Sequence, residues 1–258
     1  MLLRETGFTF DGKHSYNNYG MQYSEKDAGH AAIPQIDRNE YQIAGRSGTV
    51  LFAGETMQPL TFAGSLYPVQ EPATQMAAQA LIRSVQQWLS AGRKQLIFDY
   101  EPDKYYLAQL TKQSAWSLKN WFGGELIIAF QAEPYAYAVH ESAFTGSGST
   151  PITVSAAMVT MYPAPAVIRI TNTANAALTG VSINSGQIAF SGLSIAKDHW
   201  LEISFETPIG ATVDGTTNAL PKCTAFRPLT LAQGANTVTV ALTGAGTASV
   251  EIRARGRW

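Results

Sequence analysis

Three carboxylates alternate in Asp99-Tyr100-Glu101-Pro102-Asp103. Alternate side chains of a strand share a face, so this spacing would suit a metal cluster or an acid/base pair. Pro102 argues against a regular central strand. Leu96–Asp99 and Lys104–Leu110 instead read as the arms of a hairpin, with the carboxylates at a solvated turn. The histidines are His14, His30, His140 and His199. No two have the i, i+4 spacing of a helical zinc site, and no HExxH string occurs, so each is expected to be a surface or packing residue. Cys223 lies in Pro221-Lys222-Cys223-Thr224 without a neighbouring base to activate it, and is expected to be a passive thiol. Asp214-Gly215-Thr216-Thr217-Asn218 would offer oxygens to calcium, but it lacks the full EF-hand pattern and reads as a turn. Asp198 and Glu202 form the nearest acidic pair in the second half, with no flanking motif to support glycoside hydrolysis. There is no GxSxG, no P-loop and no GxGxxG after a strand. The sequence therefore assigns no catalytic, cofactor-binding or metal-binding residue.

Aromatic residues are the remaining candidates. Trp116, Trp121, Trp200, Tyr105, Tyr106, Tyr135 and Tyr137 would serve either as a sugar-stacking face or as core and interface anchors, the latter use being commoner. Trp200 is the candidate glycan platform.

The elements that must position these residues fall into two compositional halves. Among 258 residues, residues 1–139 hold 11 basic and 13 acidic side chains, whereas residues 140–258 hold 7 and 6 and are rich in Ala, Thr, Gly and Ser. The break falls in HESAFTGSGSTP, where Gly146-Ser147-Gly148-Ser149 reads as flexible punctuation. The expected division is an N-terminal domain over 1–139, a linker over 140–150 and a second domain over 151–258.

The first half contains one convincing helix, from Thr74 to Ala91. Ala77, Leu81, Val85, Trp88 and Leu89 recur on one stripe, with Pro72 suited to the first turn and Gly92 to the C-terminal end. Around it, Phe8-Thr9-Phe10 runs into an Asp11-Gly12 turn, and short apolar runs recur at Thr49–Phe52, Leu96–Phe98, Tyr105–Leu107 and Leu126–Phe130. One helix among many strands is α+β, not alternating α/β. The second half has no helical stripe. Turn-punctuated strand candidates at Ile152–Ser155, Val167–Thr171, Gly180–Ile183, Gln187–Phe190, Leu201–Phe205, Thr237–Leu242 and Ala248–Ile252 indicate an antiparallel β-sandwich. The fold class is thus mainly β with one principal helix: an N-terminal α+β domain followed by a C-terminal sandwich.

A net charge of −1 disfavours nucleic acid as the main partner. Charged residues make up only 14% of the chain, below the ~25% of an average domain, so the surface must be hydroxyl- and amide-rich or covered by other subunits. One cysteine excludes an intramolecular disulfide framework. Arg4 and Glu5 interrupt any signal-peptide hydrophobic region, and Leu126–Phe130 is far short of the ~20 residues that span a bilayer. The expectation is a soluble protein folded in a reducing cytoplasm, without membrane association.

Several pieces in order resemble the distal tail (Dit) proteins of long-tailed bacteriophages and prophages. Phe8–Ser15 is similar to the family's F-x-F-[ND]-G-x-x-S opening, and Tyr19-Gly20-Met21 to its F/Y-G-[LM] segment. Arg46–Leu51 resembles its Arg-Ser/Asp-Gly strand, Trp88–Gly92 its helix ending, Leu96–Tyr106 its L-I-F-D-x-E-P-D-x-Y-Y hairpin, and Leu231–Asn236 its approach to a late sandwich strand. The resemblance covers residues 1–130 well and the remainder weakly. It implies a two-domain structural subunit whose N-terminal domain joins a hexameric ring, with a galectin-like or carbohydrate-module-like sandwich outside. The ring would be a hub joining the tail tube protein to tail-tip, tail-associated or baseplate proteins in the virion tail, made in the host cytoplasm. A closed ring needs a heterologous contact, for which Phe98, Tyr100, Tyr105 and Tyr106 are the expected residues. The alternative is a module that binds host cell-wall glycan, and a glycoside hydrolase is a third and weaker reading. No cofactor is expected.

Overall fold

Asp11 and Gly12 adopt φ of 50° and 72°, the left-handed pair of a tight hairpin turn, and join β1 (Phe8–Phe10) to β2 (Lys13–His14). The structure, a computed structural model, describes residues 7–25, 34–38, 40–45, 47–51, 56–113 and 124–258. Expectations resting on His30, Arg46, Trp116 and Trp121 lie outside the described residues.

The chain forms two compact units, 1–139 and 140–258. In the first, α1 (Ser15–Tyr19) and β3 (Met21–Glu25) follow the hairpin. Two short pairs come next, β4 (Ile36–Asp37) with β7 (Thr56–Met57) and β5 (Glu40–Gln42) with β6 (Thr49–Leu51). The unit is completed by β8 (Leu60–Pro68), α2 (Gln75–Leu89), β9 (Lys94–Phe98), β10 (Lys104–Gln113) and β11 (Leu126–Ala138). The main sheet has the order β2-β1-β9-β10-β11-β8-β3 and is antiparallel throughout.

The expected helix exists, with two corrections. Its N-cap is Thr74, whose hydroxyl accepts from the Ala77 N–H at 3.1 Å, so Pro72 lies before the helix and not in its first turn. Its buried stripe is Ala78, Ile82, Val85, Trp88 and Leu89; Ala77 is exposed and Leu81 half-buried. Trp88 stacks on Phe8 at 5.5 Å and on Tyr19 at 4.5 Å, and the core around it holds Phe10, Phe62, Phe98, Phe130 and Leu96.

The second unit contains β12 (Ser142–Ser149), β13 (Ile152–Met158), β14 (Ala164–Asn172), β15 (Leu178–Ile183), β16 (Ile188–Ile195), β17 (Trp200–Ser204), β18 (Gly210–Val213), β19 (Thr217–Asn218), β20 (Cys223–Phe226), β21 (Thr230–Leu231), β22 (Gly234–Thr243) and β23 (Thr247–Ala254). One sheet has the order β12-β23-β14-β17-β18-β19, with β21 on β14; the other is β13-β22-β15-β16-β20. A single hydrophobic cluster draws on both, with Ile168, Leu201, Val250 and Ile252 from the first and Val154, Ile183, Phe190 and Val240 from the second. This is a two-sheet antiparallel sandwich.

The linker expected at 140–150 is corrected here. Residues 142–149 form β12, paired with β23 from Ser142↔Ala254 to Ser149↔Thr247. Gly146 belongs there for packing and not for flexibility: a Cβ at that position would lie 3.0 Å from Val154 Cγ2 and 3.1 Å from the Thr153 carbonyl oxygen.

Candidate functional site

The β9–β10 connection is the hairpin expected from the sequence, with Tyr106 opposite Leu96. Its three carboxylates go different ways. Both oxygens of Asp99 lie close to His14 Nε2, at 3.0 and 3.1 Å. Glu101 accepts from Lys104 Nζ at 2.7 Å and from the Tyr106 hydroxyl at 2.8 Å. Asp103 stays largely in solvent, 3.8 Å from Lys104 Nζ. The hydrogen bond to Glu101 raises the pKa of Lys104, and burial followed by that same carboxylate raises Tyr106. The turn is therefore a locked structural element, not a converging acid/base pair.

His14 does more than the sequence suggested. Its Nδ1 accepts from the Tyr16 and Asn17 N–H groups at 3.1 and 3.2 Å, capping α1. With Nδ1 an acceptor, the ring proton sits on Nε2 and is donated to Asp99. Both ring nitrogens are thus committed. Nothing in local spacing links His14 to a carboxylate 85 residues away.

The four residues expected at a subunit contact separate sharply. Phe98 has no exposed surface and Tyr105 is 7% exposed, stacked on Tyr137 at 5.4 Å. A ring inside the unit's own core cannot touch another chain, so Phe98 and Tyr105 are corrected to core residues. Tyr106 is half-buried. Tyr100, at the hairpin tip, is 46% exposed and stacked on Phe98 at 5.1 Å.

In the sandwich, Trp200 is half-buried and the Arg169 guanidinium lies over its ring at 5.2 Å. Its Nε1 is buried without a hydrogen-bond partner. One face of the ring is therefore covered by the protein's own cation. Arg169 also donates to Glu202 at 2.7 Å, and Arg253 donates to the same carboxylate oxygen at 3.1 Å. Glu202 is thus tied to two arginines and not paired with Asp198. Asp214 accepts from the Trp200 N–H at 3.0 Å and sits 2.6 Å from His199 Nδ1. The Trp200 N–H, and more weakly His199, hold its carboxyl below the usual range. Asn218 turns its side-chain oxygen to the Leu220 N–H, so these oxygens do not converge as a calcium site would require. Burial pushes the Cys223 thiol up, and its S–H donates to the Ala225 carbonyl at 3.2 Å. Among the described residues no three His, Cys, Asp or Glu side chains cluster to hold a metal.

The two faces of the sandwich differ in a way the sequence did not announce. One sheet carries Arg169, Glu202, Glu251 and Arg253, whereas β13, β22, β15, β16 and β20 contain no charged residue. Their exposed positions are hydroxyl residues, alanine or glycine, with Thr153 opposite Thr239 and Ser155 opposite Thr237. In the N-terminal unit a shallow groove of about 460 Å³ is lined by Tyr16, Tyr19, Val69 and Leu81 and offers no acid/base pair.

An α+β unit with one main helix, followed by a two-sheet sandwich, is the class this architecture defines. The solved structure of SPP1 Dit (gp 19.1), described as a paradigm of the hub adsorption apparatus in phages infecting Gram-positive bacteria, has this fold. It aligns with TM-score 0.71 and 12% identity, covering 98% of each chain. A chain of the phage p2 baseplate in its activated conformation with Sr aligns at 0.49 and 13% identity, covering 96% of this chain and 97% of that one. No family model matches the sequence, and no curated protein does. No helix among the described residues is long and apolar enough to cross a membrane.

Proposed function

We propose that this protein is a structural component of a phage tail, whose copies close into a six-membered ring that joins the tail tube to tip or baseplate proteins. One observation carries the reading: the chain shares the fold of a hub adsorption protein over 98% of both lengths. The ordered motifs at Phe8–Ser15, Trp88–Gly92 and Leu96–Tyr106 point the same way, and each lies in an element that builds the N-terminal core. Among the described residues, His14, Asp99, Glu101, Glu202 and Asp214 are engaged in capping, hairpin locking and ion pairs. A protein that works by tiling needs a heterologous contact whose rotation closes. Low charge suits surfaces that become interfaces, since interface cores are depleted of charged residues. The N-terminal unit supplies the ring contact, with Tyr100 at the β9–β10 tip, and the sandwich lies outside.

Native mass spectrometry of the purified chain, alone and mixed with a phage tail tube protein, tests this. The expected species are a closed homo-oligomer and its complex with the tube protein. A monomer that captures no tube protein would reject the reading.

A further inference from the structure

In the sheet β12-β23-β14-β17-β18-β19, Ile168, Ile170, Leu201 and Ile203 point into the core, so the residues between them line the outward face. Trp200, Arg169, Glu202 and Arg253 gather on that face. Three hydrogen bonds reach Glu202, and all end on one oxygen: Oε2 accepts from Arg169 Nε at 3.0 Å, Arg169 Nη2 at 2.7 Å and Arg253 Nη2 at 3.1 Å. Oε1 of the same carboxylate accepts from none of the described residues and is not sealed inside the protein. The Nη1 groups of both arginines are likewise open and without a partner among the described residues. Hydroxyls flank the array, with Thr212 opposite Glu202 and Thr171 opposite Trp200, each half-buried.

A carboxylate oxygen can only accept, and a guanidinium can only donate. An open acceptor beside open charged donors fits a group that does both. The carboxylate repels an anion and the arginines repel a cation. A neutral vicinal diol instead donates one hydroxyl to Oε1 and accepts a guanidinium N–H on the next, each bond charge-assisted. The Trp200 ring, 5.2 Å from the Arg169 guanidinium, adds an apolar surface beside these groups, matching the C–H face of a pyranose. We propose that this face is a binding site for a neutral hexopyranoside. Glu202 Oε1 and the Nη1 groups of Arg169 and Arg253 read a vicinal diol, and Trp200 lies against the sugar ring. The site belongs to the sandwich alone, and holds whether or not the chain assembles into rings.

Saturation-transfer NMR on the full chain tests it, because the signals observed are the sugar's and are read at any assembly size. The probes are the methyl glycosides of glucose, galactose and mannose, with cyclohexanol as a ring that lacks a diol. The expected result is saturable transfer to the ring protons of at least one glycoside, half-complete in the millimolar range, and none to cyclohexanol. Glu202→Gln, which weakens the acceptor, should raise the half-saturating concentration about tenfold or more. Thr212→Arg keeps Glu202 and should do the same, by placing a competing donor on the neighbouring strand beside Oε1. Near-UV circular dichroism verifies the fold of each variant, and if the first fails to fold the second decides. No transfer to any of the three glycosides, equal transfer to cyclohexanol, or binding unchanged in the folded variants would overturn the proposal.

Discussion

The indole Nε1–H of Trp88 donates to the carbonyl oxygen of Phe10 at 2.7 Å, tying the last turn of α2 to the first strand across 78 residues of sequence. The same ring stacks on Phe8 and Tyr19, so one side chain joins the helix, the opening hairpin and α1. Trp88→Ala removes the ring and the hydrogen bond, and should cost about 3–5 kcal/mol in urea unfolding. Trp88→Phe keeps most of the apolar contact and should lose about 1–3 kcal/mol through the unpaired carbonyl.

His14 is expected to act as a cap. His14→Ala should lower stability by about 1 kcal/mol, and His14→Asn, a favourable N-cap, should recover part of the loss. Gly7→Ala should be worse than either, since its Cβ would fall 2.6 Å from Asp99 Oδ2 and 2.8 Å from the His14 ring. Thermal unfolding ranks the three, and nitrogen chemical shifts of the His14 ring should report the Nε2–H tautomer.

Glu206 makes stability depend on pH. Burial, and then the Glu141 carboxylate, raise its pKa against the opposing pull of Arg255, Arg257 and Arg253. The folded chain therefore holds this proton more tightly than the unfolded chain. That contribution is complete below the ordinary carboxylate range and is lost as pH rises through the raised value. Glu206→Gln, which cannot ionise, should raise the urea midpoint at pH 8 and leave it close to wild type at pH 4. An equal effect at both pH values would assign the change to packing.

What the sequence disclosed follows from how local each signal is. Asp11-Gly12 was legible because few residue pairs tolerate two positive φ angles in succession. The helix was legible, but its phase was not. Ala77 beside Ala78 and Leu81 beside Ile82 offer two stripes one residue apart, and only packing against the sheet selects the second. β12 was hidden because Gly146 and Gly148 suggest flexibility, whereas the close approach of Val154 is a tertiary fact. The aromatic run from Phe98 to Tyr106 could not be sorted into core and surface, since the hairpin carries both within nine residues. The His14–Asp99 and Trp88–Phe10 contacts join distant segments and left no local trace.

Tyr100 is the one residue of the expected contact set that remains well exposed. Tyr100→Arg should change stability by no more than about 1 kcal/mol, the scale of its stack on Phe98. It should nonetheless convert assembled protein to monomer in light scattering coupled to size exclusion. Rings that persist in the variant would move the subunit contact away from the hairpin tip.

Negative-stain imaging of the purified wild-type chain addresses the central claim most directly. Closed annuli with sixfold symmetry and an open centre are the predicted result. A field of single particles that does not change with protein concentration would contradict it.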